Sequence, residues 1–388
     1  MQYKEFCGEK ISTLGMGNMR LPTTEERGPI DREKARAIIE HAYESGINYF
    51  DTAYRYHSGE SETFVGEVLS QYPRESFCLA TKMPGHMMYY KDGKLGFQGY
   101  LAGETVTGIS EIFEDQLKRC RVDYFDFYLL HNVCESSFDF YTNEELGVVK
   151  YLVEQKKAGR IRHLGFSSHG HAETIDQFLN LYPGVFEFVQ LQLNYLDWDL
   201  QKAGDKYDVV AKHGLDMVIM EPVRGGRLAK LPEAAEAMLK EAKPEATIAS
   251  WAFRFLQSLP KVGVVLSGMT TMEQLNENLE LFSNPEPTTD AENALLQKVV
   301  KVLADMVPCT SCRYCCEDCP QGLDIPRLIG MYNEFKSDGL GILNFNLRGM
   351  AEEALPAACI SCGSCARVCP QGIDIPGVMA AFAEALKG

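Results

Sequence analysis

No apolar run in the 388 residues approaches the roughly 18–20 needed to span a bilayer, which argues against a transmembrane helix. The opening segment, MQYKEFCGEK, lacks a basic patch followed by an apolar stretch, so no signal peptide is expected. Basic residues are in short supply: 38 against 54 acidic ones, a net charge of −16 and a pI near 5.0. A surface of that sign is repelled by phosphate, so no nucleic acid and no membrane are expected as partners. Cysteine is sparse before residue 300, where only Cys7, Cys78, Cys120 and Cys134 occur, scattered as core or surface residues. A total of 13 is odd, and without a secretory signal it argues against a disulfide framework. These absences together predict a cytoplasmic protein. What is present is ordinary for a folded chain, 45% hydrophobic and 24% charged. The length fits a large barrel plus a small module, or two to three average domains.

Eight short β-type runs alternate with longer stretches of helical periodicity up to about residue 283. The runs are Leu14–Gly17, Ile47–Thr52, Phe77–Lys82, Phe125–His131, His163–Ser167, Phe188–Asn194, Asp216–Glu221 and Val262–Ser267. Most are continuously apolar, as parallel strands covered on both faces are. Between them, Arg32–Ser45 reads as a helix capped by Asp31 and ended by Gly46, with Ala35, Ile38, Ile39 and Ala42 on one face. Glu60–Ser70, Glu104–Cys120, Glu144–Ala158, Ala172–Leu181 and Pro244–Gln257 fill other intervals. Eight strand–helix units predict an α/β fold, a (β/α)8 barrel over residues 1–283, with Met1–Ser12 as a hairpin closing its bottom. Residues 284–306 read as a proline-containing linker and a helix, Ala291–Met306. Residues 307–388 then form a second, small, mostly helical domain.

That domain contains a repeat with a period of 50 residues: CTSCRYCCEDCPQGLDIP from Cys309 and CISCGSCARVCPQGIDIP from Cys359. Cys309, Cys312, Cys315 and Cys319, and again Cys359, Cys362, Cys365 and Cys369, give C-x2-C-x2-C-x3-C-P, the run of bacterial [4Fe–4S] ferredoxins. Three thiolates two residues apart wrap one corner of a cube, and the fourth, redirected by proline, reaches the other cube. The expected ligand sets are therefore crossed, with Cys369 joining the first run and Cys319 the second. Structural zinc favours paired C-x2-C units with four ligands per ion, and this spacing fits it badly. Cys316 is read as a non-ligand. With its long gap and CPQGIDIP, the segment resembles the α-helical ferredoxin domains appended to larger oxidoreductases.

In a barrel of this kind, chemistry sits at the C-terminal ends of the strands. Asp51, Lys82 and His131 fall at the ends of strands two, three and four, and Tyr56 lies in the loop after Asp51. An ammonium beside a phenol would favour the phenolate, and a carboxylate would hold the ammonium. Tyr56 would then protonate a carbonyl oxygen while His131 orients it.

The segments FDTAYRYHSGESETFVGEVL, LATK, DFYLLH and IRHLGFSS resemble the aldo-keto reductase superfamily in order and spacing, over nearly all of residues 1–283. The resemblance implies the tetrad Asp51, Tyr56, Lys82 and His131. It also implies a nicotinamide cofactor, NAD(H) or NADP(H), held by Gly17, Asn18, Met19, Asp51, Ser167, Ser168 and Gln190, with Ser168 where the family has Asn. Met220 stands where an aromatic usually stacks on the ring. Arg224, Gly225, Gly226 and Arg227 are placed at the pyrophosphate. Gln274, Glu277 and Asn278 match the adenosine-side segment. The basic residues many members use for a 2′-phosphate correspond to Gly268 and Gln274, which favours NADH.

The expected function is reduction of a small aldehyde or ketone, or oxidation of the alcohol, alongside two [4Fe–4S] clusters. Clusters pass single electrons and nicotinamide a hydride, so direct coupling normally needs a flavin. A flavin bound at the phosphate site of strands seven and eight therefore stays open. A second reading makes the clusters the point where electrons come in, from a ferredoxin or flavoprotein partner. A third is a non-catalytic redox-sensing subunit with structural clusters, against which the intact tetrad argues. The loop Met83–Gly103 carries His86, Met87, Met88, Tyr89, Tyr90, Phe97 and Tyr100, and so much apolar surface is expected to be covered.

Overall fold

The computed structural model describes residues 1–25, 28–98, 105–303, 307–338, 347 and 350–387. They form two compact units. The first runs from Met1 to Pro222 and includes Ala252–Thr289; the second comprises Val223–Trp251 and the chain from Asp290 onward.

Eight parallel strands of the first unit close into a barrel: β1 (Leu14–Gly17), β2 (Tyr49–Asp51), β3 (Cys78–Met83), β4 (Phe125–Leu130), β5 (Ile161–Ser168), β6 (Phe188–Gln192), β7 (Asp216–Met220) and β8 (Val262–Ser267), with β8 pairing back on β1. All eight overlap the runs read from sequence, because an uninterrupted apolar stretch is stable only where both faces are covered. The register fixes the rim: Asp51 lies opposite both Gly17 of β1 and Ala80 of β3, and Lys82 opposite Leu129 of β4.

The leading segment is the expected hairpin, Tyr3–Phe6 antiparallel to Glu9–Ser12. Its two-residue turn, Cys7-Gly8, has φ of 53° and 83°, the doubly left-handed geometry that matches strand twist. Phe6 and Ile11 enter one cluster with Tyr49, Phe127, Phe188 and Val264. The approach requires glycine at residue 263, where a Cβ would lie 2.3 Å from the Phe6 ring.

Helix Arg32–Glu44 starts where Asp31 accepts from the Lys34 amide and buries Ala35, Ile38, Ile39 and Ala42. Helix Glu60–Leu69 packs on Ile109–Cys120 at Gly66, whose missing Cβ would sit 2.5 Å from the Cys120 backbone. Three helices start later than the periodicity suggests, at Ile109, Val148 and Ile248 instead of Glu104, Glu144 and Pro244; Glu104 lies outside the described residues. Local polar chemistry wins at two of them. Asn143 Oδ1 binds the Leu146 amide ahead of Gly147 (φ 62°), and Thr247 Oγ1 accepts from the Ser250 amide. Helices Ala203–Lys212, Glu233–Ala242 and Met272–Ser283 complete intervals that the sequence pattern left undefined.

The enlarged loop after β3 is a small antiparallel sheet of Met88–Lys91, Lys94–Phe97 and Thr105–Val106, turned by Asp92-Gly93 at φ 52° and 71°. Met88, Leu95 and Phe97 are buried, and Phe97 stacks parallel to Tyr54 at 6.0 Å. Tyr100 lies outside the described residues.

In the second unit, helix Glu233–Ala242 packs against Asp290–Leu303; residues 304–306 of the expected helix lie outside the described residues. The 50-residue repeat reappears as geometry. Short helices Tyr314–Glu317 and Ser364–Arg367 are each followed by a long one, Ile325–Asp338 and Ile375–Ala385. Left-handed residues recur in pairs: Ser311 with Ser361, Arg313 with Gly363, Gly322 with Gly372. Leu323, Ile325, Leu328 and Ile329 share one core with Ile373, Ile375, Met379 and Phe382. Among the described residues no helix is long and apolar enough to cross a membrane.

Phe6→Ala removes the ring that fills the barrel base, and a loss of about 3–5 kcal/mol is expected. Urea denaturation of the variant against the parent checks it; an unchanged midpoint would show that the hairpin is dispensable.

Candidate active site and thiol-lined voids

Burial makes the ends of β2 and β3 a demanding place for charge. Lys82 and Asp51 are 1% and 2% exposed, and Lys82 Nζ lies 2.6 Å from Asp51 Oδ1. Burial pushes the carboxyl up and the ammonium down from their usual values, and their mutual attraction works against both shifts. Lys82 Nζ also donates to the Thr52 carbonyl at 2.8 Å and to the Tyr56 hydroxyl at 3.3 Å. Three acceptors match the three donors of an ammonium, so the geometry is that of the charged form.

Tyr56 sits on a turn that few sequences adopt. His57, Ser58 and Gly59 follow it at φ 51°, 55° and 93°, conformations costly for the two non-glycine residues. The surroundings compel them: His57 Nε2 accepts from the Leu21 amide (3.1 Å), and Ser61 Oγ bonds to Thr52 Oγ1 (2.8 Å) and the Asn18 carbonyl (3.1 Å). The phenol is held well above its ordinary value, first by burial, then by the Asp51 and Glu221 carboxylates, with Arg20 opposing. The lowering expected from the nearby ammonium is therefore outweighed in this arrangement.

His131 follows β4, its ring 6.0 Å from that of Tyr56 and edge-on to it. Its amide donates to the Met83 carbonyl at 3.0 Å. Tyr141 Oη, lying 2.7 Å from the His131 carbonyl and 3.0 Å from that of Met83, clamps the two strand ends together. Burial, then His86, Lys82 and His169, hold His131 well below the ordinary imidazole value, so it is neutral across physiological pH. His86 stands 4.3 Å from it, ring to ring.

The expected nicotinamide contacts divide into two groups. Gln190 Nε2 donates to Asp51 Oδ2 at 3.3 Å, while its Oε1 is buried without a hydrogen-bond partner among the described residues. Asn18 Nδ2 bonds to the Met16 and Asp51 carbonyls, and its Oδ1 is likewise buried and unpartnered among them. Ser167 Oγ accepts from the Asn132 amide (2.8 Å), and Ser168 Oγ donates to the Val133 carbonyl (2.6 Å). Gly17, Met19 and Met220 are partly exposed at strand ends. Gly268 lies against Arg20, where a Cβ would be 3.1 Å from that of the arginine. Gln274 is engaged in a capping box with Thr271, Asn278 Nδ2 donates to Ser267 Oγ (3.1 Å), and Glu277 is exposed. Arg224, Gly226 and Arg227 belong to the second unit. The two guanidiniums there bond to main-chain carbonyls of residues 307–309, and Gly226 is exposed.

Also in that unit, two voids divide the eight repeat cysteines. One, with about 290 Å³ of open space, is lined by Cys309, Cys312, Cys315 and Cys369; the other, about 340 Å³, by Cys319, Cys359, Cys362 and Cys365. Each takes three cysteines from one run and the fourth from the other. Cys316 lines neither and packs on the hydrophobic core. Among the described residues no three His, Cys, Asp or Glu side chains close around a single ion. Four thiols spread around a larger void suit a multinuclear group better than a lone zinc, which draws its sulfurs to about 2.3 Å.

Residues 13–301 match the aldo/keto reductase family over most of the chain. The chain belongs to that family. Residues 308–373 match the 4Fe-4S dicluster domain, so a ferredoxin-type module follows the reductase barrel. The chain is 27% identical over 313 residues to the uncharacterized oxidoreductase YqkF of Bacillus subtilis, covering 75% of this chain and 93% of that protein. It is 25% identical to the NADH-specific methylglyoxal reductase of Escherichia coli, covering 76% and 96%. Among solved structures, the aldo-keto reductase AKR11C1 from Bacillus halodurans in its holo form shares a TM-score of 0.60 and 26% identity, covering 77% of this chain and 96% of that one.

The reductase barrel holds more around the tetrad than the sequence suggested. Behind Lys82 lies a fully buried carboxylate, Glu62, accepting from Thr81 Oγ1 and Gln116 Nε2 at 2.6 Å each, with Arg119 at 3.7 Å. Gln116 Nε2 also reaches the Lys82 carbonyl (3.0 Å), and Tyr128 Oη donates to its Oε1 (2.5 Å). Glu62 is hidden within the apolar face of Glu60–Ser70; an acidic residue three and seven positions before Val65 and Leu69, on their side of the helix, is the available signal. His169 and Glu221 had none. Replacing Glu62 by Leu strands the buried Thr81 hydroxyl, at about 1–3 kcal/mol, while Gln116 Nε2 keeps the Lys82 carbonyl and Thr81 Oγ1. A loss of about 2 kcal/mol in chemical denaturation is expected; a change below about 0.5 kcal/mol would show that the network contributes nothing net.

Proposed function

We propose that this aldo/keto reductase reduces a small aldehyde or ketone with a nicotinamide cofactor, or oxidises the alcohol, using Tyr56 as general acid and base. The observation that carries the reading is the proton inventory at Lys82. Because Nζ donates to the Tyr56 oxygen, the phenol's own hydrogen points away from the lysine and is available to an incoming carbonyl oxygen. When bound, a reduced nicotinamide would supply the hydride for the carbonyl carbon. Tyr56 gives its proton to the oxygen, Lys82 stabilises the charge left behind, Asp51 holds Lys82, and neutral His131 donates an N–H that orients the carbonyl. Gln190 Oε1 and Asn18 Oδ1, buried and without a hydrogen-bond partner among the described residues, suit the amide hydrogens of a carboxamide. Gly268, and Gln274 committed to its cap, offer no cation to a 2′-phosphate, which favours NADH.

The tetrad reading makes two measurable statements. Tyr56→Phe should lower kcat by about 10²–10⁴ while nicotinamide binding, followed by fluorescence, stays within twofold. Turnover near the parent's with methylglyoxal or any accepted carbonyl would refute the role. The raised phenol pKa keeps the acid form through neutrality. Reduction should therefore hold level from about pH 6 to 9 and fall only above about 10, while alcohol oxidation rises with pH. An inflection in reduction near pH 6.5 would mean that His131 titrates in the working range.

The C-terminal domain, on the same proposal, carries two [4Fe–4S] clusters, one on Cys309, Cys312, Cys315 and Cys369, the other on Cys319, Cys359, Cys362 and Cys365. The four-thiol lining of each void supports it. Such clusters pass single electrons. The exposure of Cys362 favours exchange with a ferredoxin or flavoprotein partner. Anaerobically purified protein should contain about eight iron and eight sulfide per chain, and its spectrum should bleach with dithionite. Four or fewer of each would leave a single cluster and end the two-cluster reading; bleaching by NADH alone would make the nicotinamide the electron source.

A further inference from the structure

The loop after β7 reverses direction in three consecutive left-handed residues, Arg224, Gly225 and Gly226, at φ 51°, 66° and 93°. Its turn is closed internally, since the amides of Gly226 and Leu228 both donate to the Val223 carbonyl at 3.0 Å. Those two amides are therefore occupied rather than presented to an anion. The two arginines that bracket the glycines reach the first cysteine run. Arg224 Nη2 donates to the Pro308 carbonyl at 2.6 Å; Arg227 Nη1 donates to those of Val307 at 3.1 Å and Cys309 at 3.3 Å. Arg224 is only 1% exposed, so its charge is little screened by water or salt.

A [4Fe–4S] group gains one unit of negative charge when reduced, with no bond made or broken. A fixed cation nearby therefore favours the reduced state, and more strongly in a poorly solvated place. The two voids differ in this respect. Thr310, beside the first, is 1% exposed, whereas Ile360, its counterpart in the repeat, is 60% exposed. Burial alone would make the first group harder to reduce. Arg313, which lines the first void itself, is paired with Asp324 at 3.1 Å. We propose that Arg224 and Arg227 raise the reduction potential of the cluster held by Cys309, Cys312, Cys315 and Cys369, offsetting its burial and setting it apart from the second. This rests on the two-cluster reading above.

The test is an anaerobic redox titration of the holoprotein with dithionite, followed by electron paramagnetic resonance. Arg227→Gln and Arg227→Ala are the neutral variants, Arg227→Lys the charged one, and iron and sulfide are measured in each. A neutral variant is expected to lower one potential by about 59 mV, a tenfold change in the reduced-to-oxidised ratio of a one-electron couple. The other potential should stay fixed, and the lysine variant should retain most of the parent value. Unmoved potentials, equal shifts in both clusters, a lysine variant shifted as far as glutamine, or loss of iron from both neutral variants would overturn it. Fewer than two clusters in the parent removes the underlying reading; two clusters indifferent to residue 227 removes this inference alone.

Discussion

The contact between Lys82 and Asp51 makes the strictest demand on the barrel. Taking an ammonium and a carboxylate out of water costs several kcal/mol per ion, and their attraction offsets this only when the remaining donors and acceptors are also satisfied. Lys82 therefore needs Asp51, the Thr52 carbonyl and the Tyr56 oxygen at once, while Asp51 Oδ2 needs Gln190. Those partners come from β2, the loop after it, β3 and β6. A slip of one residue in β2 or β3 would turn one ion to the wrong face and leave the other buried alone. The short β2 strand carries its one charged residue at the last position, where a rim contact is geometrically available.

The same demand explains the strained turn after β2. Tyr56 completes the coordination of the ammonium only if the chain doubles back sharply behind it, through His57 and Ser58 in left-handed conformations. The cost is met by contacts made there and nowhere else, the Leu21 amide on His57 and the Thr52–Ser61–Asn18 chain. The proposed chemistry and stability are thus coupled: the Tyr56 hydroxyl, the proposed acid, also satisfies a buried charge, and the backbone that aims it is held by the end of β1.

Much of this was legible in the sequence because it depends on residue order along strands. The apolar runs located the barrel, the strand ends placed Asp51, Lys82 and His131, and the cysteine spacing marked the repeat. What escaped depends on contacts between distant segments or on competing local chemistry. Helix starts at Val148 and Ile248 are set by Asn143 and Thr247 side chains, which periodicity does not register. The loop Met83–Gly103 reads as an apolar segment, and its Asp92-Gly93 turn, a two-residue hairpin signal, is masked by that composition. Arg224 and Arg227 read as pyrophosphate contacts because paired glycines between cations resemble an anion cradle. Their bonds to residues 307–309 join stretches some 80 positions apart in the sequence, and no local pattern announces them.

The C-terminal repeat shows how a duplicated scaffold becomes unequal. Its two halves share helices, left-handed positions and turn hydrogen bonds; the Gly322 and Gly372 amides donate to the Cys319 and Cys369 carbonyls at 3.0 and 3.1 Å. Two identical one-electron sites would have no preferred direction of transfer. Asymmetry has to come from side chains that differ between the halves, such as Thr310 against Ile360, or from residues outside the repeat. Because the void linings cross, a change in either run touches both voids, so differences confined to one site are most simply introduced from outside. The segment after β7 supplies such a difference, since it delivers two fixed cations to one run and is not itself duplicated.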